Sequence, residues 1–207
     1  MKGYPNDLYI LAFDHRGTLT KGLLGVEGRQ PSEEEVARVS SMKDIIFDGF
    51  LEASSKGIEG GDPAILVDET FGIQVQNRAK DMGIKLAAPV EKSGQKIFDF
   101  EYGDNFGEKI KEVNADFVKI LVRWNPDDDS ETRQIQGERI KTLSDWLDEN
   151  ERKFLLEFLV PASEEQLASV GGDQSRYDSE IRPKLAVQVV EEMRERGADP
   201  DIWKIEG

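Results

Sequence analysis

Six short apolar runs alternate with stretches of helical periodicity along this chain, and that alternation restricts the fold more than any other feature. The runs are "LYILAFD" (8–14), "AILVD" (64–68), "KLAAPVE" (85–91), "DFVKILVRW" (116–124), "KFLLEFLVP" (153–161) and "DIWKIEG" (201–207). Each is β-branched, aromatic or leucine-rich and bounded by turn formers, which reads as a strand. Between them, "PSEEEVARVSSMKDIIFDGFLEASSKG" offers Pro31, a capping box from Ser32 to Glu35, a stripe at Val36, Val39, Ile46 and Phe50, and Gly57 as a stop. A shorter helix is expected over 71–83. "SETRQIQGERIKTLSDWLDEN" repeats the pattern with Ile135, Leu143, Trp146 and Leu147, and "SEIRPKLAVQVVEEMRERG" does so again before Gly197. Repeated strand–helix units imply a parallel sheet in an α/β fold, either doubly wound or closed as a (β/α)8 TIM barrel.

Side-chain parity decides between the two. Central strands of a doubly wound sheet are buried on both faces and apolar throughout. Here Val118, Ile120 and Val122 share one face, while Lys119, Leu121 and Arg123 share the other. Lys204 and Glu206 lie opposite Trp203 and Ile205. Glu157 joins Leu155 and Leu159, and Asp14 joins Ile10 and Ala12. One apolar face, and one face carrying charge toward the strand's C-terminal end, suit a barrel wall and its lumen.

A barrel of this kind usually takes ~250 residues and eight strands, whereas this chain has 207 residues and six recognisable strands. Either two strands lie unrecognised in 97–110 or 158–176, or the barrel is truncated after the sixth strand. An exposed terminal edge is poor design, so the expectation is one (β/α) barrel domain over 1–207 lacking strands 7 and 8. Such a chain should be poorly stable and self-associate through its first- and sixth-strand edges as a homo-oligomer.

The formal net charge is −15 and there is no cysteine. Disulfides and thiolate chemistry are thereby excluded, and a reducing compartment fits. The opening "MKGYPNDLYILAFDHRG" holds an apolar run too short for a membrane helix and no signal-peptide pattern, so a cytoplasmic protein without membrane contact is expected. An acidic chain is a poor partner for nucleic acid. It can still bind an anionic metabolite where local cations outweigh the distant field.

Charged groups stand at the C-terminal ends of all six strands: Asp14-His15-Arg16, Asp68-Glu69, Glu91-Lys92, Lys119 with Arg123, Glu157, and Lys204. In a parallel barrel they would converge on the mouth where active sites of this fold lie. Opposed signs let such a cluster neutralise itself on burial. A lysine beside other cations in a partly desolvated pocket should have a lowered pKa, which frees its amine to attack a ketone. A neighbouring carboxylate can then shuttle protons. Lys204 with Glu157 supplies that pair and Lys119 the neighbouring cation, although a structural ion pair for Lys204 is an equal reading of the residues. His15 is a ligand, an acid–base group or a hydrogen-bonded spacer. No metal-ligand spacing or dinucleotide fingerprint occurs, so neither metal nor cofactor is expected. "VGGDQSRYD" reads as a turn before a helix.

In their order, "LAFDHRG", "LVDETFG", "PVEKSGQ", "DFVKILVRWNP", "KFLLEFLVP", "GGDQSRYD", "RPKL" and "DPDIWKIEG" resemble the aldolase-type domain found alone or fused to a sugar kinase, 5-dehydro-2-deoxygluconokinase, in bacterial inositol catabolism. That domain is similar to class I tagatose-bisphosphate aldolases. The resemblance implies Lys204 as the Schiff-base lysine, Glu157 as the proton shuttle, Lys119 as the fourth-strand catalytic lysine and Asp14 as a binder of substrate hydroxyls. His15, Arg16, Glu91, Lys92 and Arg123 would complete the substrate site. The first-strand motif is D-H-R-G where those aldolases have D-Q-R-G, which fits a different sugar phosphate. The implied substrate is 2-deoxy-5-keto-gluconate 6-phosphate, cleaved to dihydroxyacetone phosphate and malonate semialdehyde. Two other readings stay open: a non-catalytic sugar-phosphate-binding or kinase-associated barrel domain, and an isomerase or epimerase with Glu157 as base.

Overall fold

The computed structural model describes residues 2–58 and 60–206. Six strands, β1 (Asp7–Ala12), β2 (Gly61–Leu66), β3 (Lys85–Pro89), β4 (Phe117–Arg123), β5 (Lys153–Leu159) and β6 (Ile202–Ile205), form one sheet. Each pairs in parallel with the next in sequence. A doubly wound sheet reverses its strand order at a switch point; this one does not.

The sheet is strongly curled. In a flat sheet, β1 and β4 would lie about 14 Å apart at ~4.8 Å per strand. Yet Lys119 Nζ on β4 reaches Asp14, just past β1, at 2.8 Å. At the other end of the strands, the Tyr4 ring meets Phe117 edge-on, with centroids 5.3 Å apart. The six strands are thus a curled half-barrel with helices outside.

Alternation along the strands builds two faces. Outward residues Val118, Ile120, Val122, Phe154, Leu156 and Phe158 pack against helices, as do Ile65, Val67, Leu86 and Ala88. Inward residues Leu8, Ile10, Leu66, Ala87, Phe117, Leu155 and Ile202 fill the lower lumen with apolar side chains. Burial of both faces at ~25 cal/mol per Å² supplies the main driving force for the fold. Residues 2–4 cross beneath this lumen. Gly3 N–H donates to Asp201 at 2.9 Å, Lys153 donates to the Gly3 carbonyl at 3.0 Å, and Lys2 pairs with Asp148 at 2.5 Å.

The connecting helices are α1 (Gly17–Leu24), α2 (Glu33–Gly57), α3 (Glu69–Asp81), α4 (Phe106–Val113), α5 (Ser130–Glu149), α6 (Glu164–Ser169), α7 (Gln174–Arg176) and α8 (Arg182–Glu195). A π-helical turn, Tyr177–Ile181, joins the last two. The Ser32–Glu35 capping box is present at the start of α2, as its sequence dictates. The expected α2 stripe is corrected: its buried positions are Val39, Lys43, Phe47 and Phe50, while Ile46 is exposed. The segments 97–110 and 158–176 contain helices rather than the two further strands weighed for them. Among the described residues, 97–110 adds only an isolated bridge between Glu91 and Phe100. "VGGDQSRYD" is a turn, with Gly171 and Gly172 at positive φ before Asp173 caps α7.

Candidate functional site

Parallel strands deliver their C-terminal ends to one rim, so the inward side chain at or just beyond each end faces a common space. That space is a cleft of about 350 Å³. Nine of the eleven strand-end residues singled out from the sequence line it: Asp14, His15, Arg16, Glu91, Lys92, Lys119, Arg123, Glu157 and Lys204. Strand-end Asp68 is the exception to the expected convergence. Its carboxylate turns away, caps α3 by accepting from Phe71 N–H at 2.8 Å, and pairs with Lys43 of α2. Glu69 likewise serves the helical layer, pairing with Lys109 at 2.6 Å.

Lys119 is the hub. Its Nζ lies 2.8 Å from Asp14, 3.0 Å from Glu91 and 3.1 Å from Glu157, carboxylates from three other strand ends. Burial acts to lower the Lys119 pKa, but Glu91, Asp14 and Glu157 outweigh it and the net shift is upward. Lys119 is therefore a fixed cation at neutral pH. Asp14 mirrors it: burial acts to raise its carboxyl, and the charge and hydrogen bond of Lys119 hold it below the ordinary range. Burial wins at Glu91, which is raised despite Lys119 and Arg16. Arg16 binds Glu91 at both its carbonyl, 2.9 Å, and its Oε1, 3.0 Å. The second carboxylate oxygen, Oε2, is buried without a hydrogen-bond partner. A buried acceptor left open at a cleft wall is suited to a ligand hydroxyl, because an unmade bond there costs ~1–3 kcal/mol.

Glu157 and Lys204 are paired across β5 and β6, and their side chains form an ion pair through Glu157 Oε1. Glu157 Oε2 is the oxygen held by Lys119. The carboxylate thus bridges a buried ammonium and one with 41% of its side-chain surface accessible. The structural partners weighed for Lys204 included Glu206. That residue instead pairs with Arg182 at 3.0 Å and accepts from Val160 N–H at 3.1 Å.

Around this core, Arg123 donates to the Gln95 carbonyl at 2.9 Å and His15 is exposed at the rim. Lys92 is an exposed cation beside Ser93, Gly94 and Gln95, which also line the cleft. A cationic rim over an acidic floor can take a ligand with an anionic end and hydroxyls. Among the described residues, no group of three or more histidines, aspartates or glutamates is arranged to hold a metal, and no helix is long and apolar enough to cross a membrane.

Sequence reasoning missed Lys43. Its position in an i, i+4 series with Val39 and Phe47 was the available signal, and a lysine there implies a buried partner.

Comparison with known proteins gives distant relatives. The chain is 22% identical over 201 residues to the tagatose 1,6-diphosphate aldolase of Lactococcus lactis subsp. lactis. It is 23% identical over 201 residues to that of Streptococcus pneumoniae serotype 4. Each alignment covers 95% of this chain and 56% of the relative, so the chain spans little more than half the length of these relatives. A crystal structure of a Corynebacterium glutamicum protein aligns at 17% identity with a TM-score of 0.43, over 72% of this chain and 47% of the other. Residues 2–207 match the family model described as "Uncharacterized protein conserved in bacteria (DUF2090)", and the chain belongs to that family.

Proposed function

We propose that this chain carries the reaction centre of a class I aldolase, with Lys204 as the Schiff-base lysine. The observation that carries the reading is the Lys204–Glu157–Lys119 bridge, in which an accessible lysine shares one carboxylate with a buried, permanently charged one. The distant similarity to tagatose 1,6-diphosphate aldolases supports it.

In this mechanism a ketone enters the cleft, Lys204 passes its ammonium proton to Glu157, and the freed amine adds to the carbonyl carbon. Glu157 returns that proton to the departing hydroxyl, and loss of water gives an iminium that draws electrons from the bond between the α and β carbons. Glu157 takes the proton of the hydroxyl on the β carbon, the far end of the bond that breaks. An aldehyde leaves, and the remaining enamine is protonated at carbon. Water then releases the ketone product and the free lysine. Glu157 is within reach of Lys204 for each proton transfer. Lys119 keeps that carboxylate oriented, and Asp14 and Glu91 accept hydrogen bonds from substrate hydroxyls. Arg16, Lys92, Arg123 and His15 address the anionic end.

The substrate we propose is 2-deoxy-5-keto-gluconate 6-phosphate, yielding dihydroxyacetone phosphate and malonate semialdehyde, within bacterial inositol catabolism. We further propose that the working site is a closed eight-stranded barrel. Its phosphate grip would come from the loops after strands 7 and 8, as is common in this fold, and so from outside the six strands described.

The test is borohydride reduction with dihydroxyacetone phosphate, read by intact mass and peptide mapping. A stable adduct on Lys204, absent in Lys204→Ala, is expected. Metal-dependent cleavage of the sugar acid phosphate with no trapped adduct overturns the class I assignment. Binding with neither trapping nor cleavage transfers the site to a sugar-phosphate-binding domain.

A further inference from the structure

Lys43 lies in the middle of α2 with no solvent-accessible surface. Its ammonium donates to the Phe13 carbonyl at 2.8 Å, to the His15 carbonyl at 3.1 Å, and to Asp68. Three acceptors meet three ammonium protons, so the donor capacity of the group is filled. Phe13 and His15 flank Asp14, whose side chain points the other way, into the cleft and onto Lys119. From these contacts we infer that Lys43 is a positioning residue for Asp14. It clamps the carbonyls on either side from the helical layer, so that the Asp14 carboxylate is presented at the cleft floor.

The surroundings fit a clamp better than a general packing role. An aliphatic residue at this core position would fill the space without the cost of burying a charge, which is several kcal/mol. The lysine is held by a dedicated partner: Asp68 caps α3 and is itself buried. Burial pushes the Lys43 ammonium down and the Asp68 carboxyl up, each opposed by the other's charge. β1 ends at Ala12 and its ladder at the Phe13 N–H to Leu66 carbonyl bond of 2.9 Å. Beyond that point no strand pairing fixes the chain until α1 begins at Gly17. The Lys43 bonds fall within that gap. A displacement of ~1 Å at a reacting group can cost 10²-fold in rate, which is the scale on which such a clamp matters.

The inference rests on the aldolase reading only for what Asp14 does to a substrate; that Lys43 sets where Asp14 lies stands on geometry. The titratable groups acting on Asp14 are Lys119, the adjacent His15, Glu91 and, from the far side of the backbone, Lys43. The experiment follows the Asp14 carboxyl by carbon-13 NMR across a pH titration, assigned by its loss in Asp14→Asn. Wild type is compared with Lys43→Met and with Lys43→Met/Asp68→Asn, which leaves no lone buried carboxylate and so remains foldable where the single change does not. Melting curves establish that each variant is folded. The expected result is an Asp14 midpoint that rises toward that of an ordinary aspartate in both variants. In the double variant one positive and one negative charge go together, so its rise reports the carboxylate leaving Lys119 rather than the loss of the Lys43 charge. In parallel, borohydride capture of dihydroxyacetone phosphate should slow by roughly 10²-fold. An unchanged Asp14 midpoint in a folded variant with lowered Tm overturns the inference and makes Lys43 a stabilising residue only. A raised midpoint with unchanged capture upholds the clamp and removes Asp14 from the capture step. Absence of capture in wild type sinks the aldolase reading while the titration still decides the clamp.

Discussion

Glu157 and Lys204 face each other directly across β5 and β6, so one parallel register places a carboxylate against an amine at the mouth of the half-barrel. Lys119 lies one strand further, opposite Leu155, two residues below the Glu157 position in the register. That offset lets its longer side chain come up under the second carboxylate oxygen at 3.1 Å. The arrangement makes the role of each group separable by substitution.

Glu157→Gln keeps the shape and removes the carboxylate that the proposed mechanism uses as its base. The expected outcome is a kcat lower by about 10²–10⁴-fold with KM little changed. Borohydride capture on Lys204 should persist at a reduced rate. Steady-state kinetics with the proposed keto sugar acid phosphate and intact-mass analysis measure the two effects.

Lys119→Met leaves Asp14, Glu91 and Glu157 around an uncharged stem. Loss of a buried partner should destabilise the fold by about 3–5 kcal/mol at pH 7. Carboxylates in such a cluster have raised pKa values in the folded state, and raised groups favour folding at low pH. The deficit relative to wild type should therefore narrow as the pH falls below about 5. Urea unfolding at several pH values reads this, and a pH-independent deficit contradicts it.

Asp14 carries the opposite sign. Its folded pKa lies below its ordinary value, so its contribution to stability is complete above the unfolded value near 3.9. It is lost as pH falls through the lowered folded pKa. Asp14→Asn should be less stable than wild type at pH 7, with the difference vanishing in strong acid. Paired denaturation curves from pH 2 to 7 test it.

Gly72 in α3 sits where an added Cβ would come within 2.4 Å of Val67 Cγ2. Glycine to alanine inside a helix ordinarily stabilises by about 0.5–1 kcal/mol. Here overpacking, at about 1–3 kcal/mol, should win. Gly72→Ala is expected to lower Tm, and Gly72→Ala/Val67→Ala to recover much of the loss.

The strands were legible because their apolar runs are short, bounded and inward–outward alternating. β4 and β5 fall inside their expected spans and differ only at the ends. The cleft was legible for the same reason: alternation along the strands puts Lys119, Glu157 and Lys204 on the lumen face. Helices without strong local signals were missed. α1 starts at Gly17 after Arg16, which makes no side-chain cap, and holds two glycines; α4 follows Asn105, which makes none either. Asp68 was misplaced because strand-end position alone does not say which way a carboxylate turns. What turns it is Lys43, 25 residues away in sequence and brought close by α2 packing on α3 and, through Phe47 and Phe50, on the cluster that holds Ile65 and Val67. Contacts of that range leave no local pattern.

The sequential strand order has a consequence for the growing polypeptide. Each new strand emerging from the ribosome finds its neighbour already made, so pairing can advance unit by unit with short loops to close. Residues 2–4 are the exception, since their anchors Lys153 and Asp201 are synthesised some 150 and 198 positions later. Residues 2–4, made before every strand of this sheet, are therefore among the last of its parts to dock, and they fasten the underside of the lumen only after β5 and the residues leading into β6 exist.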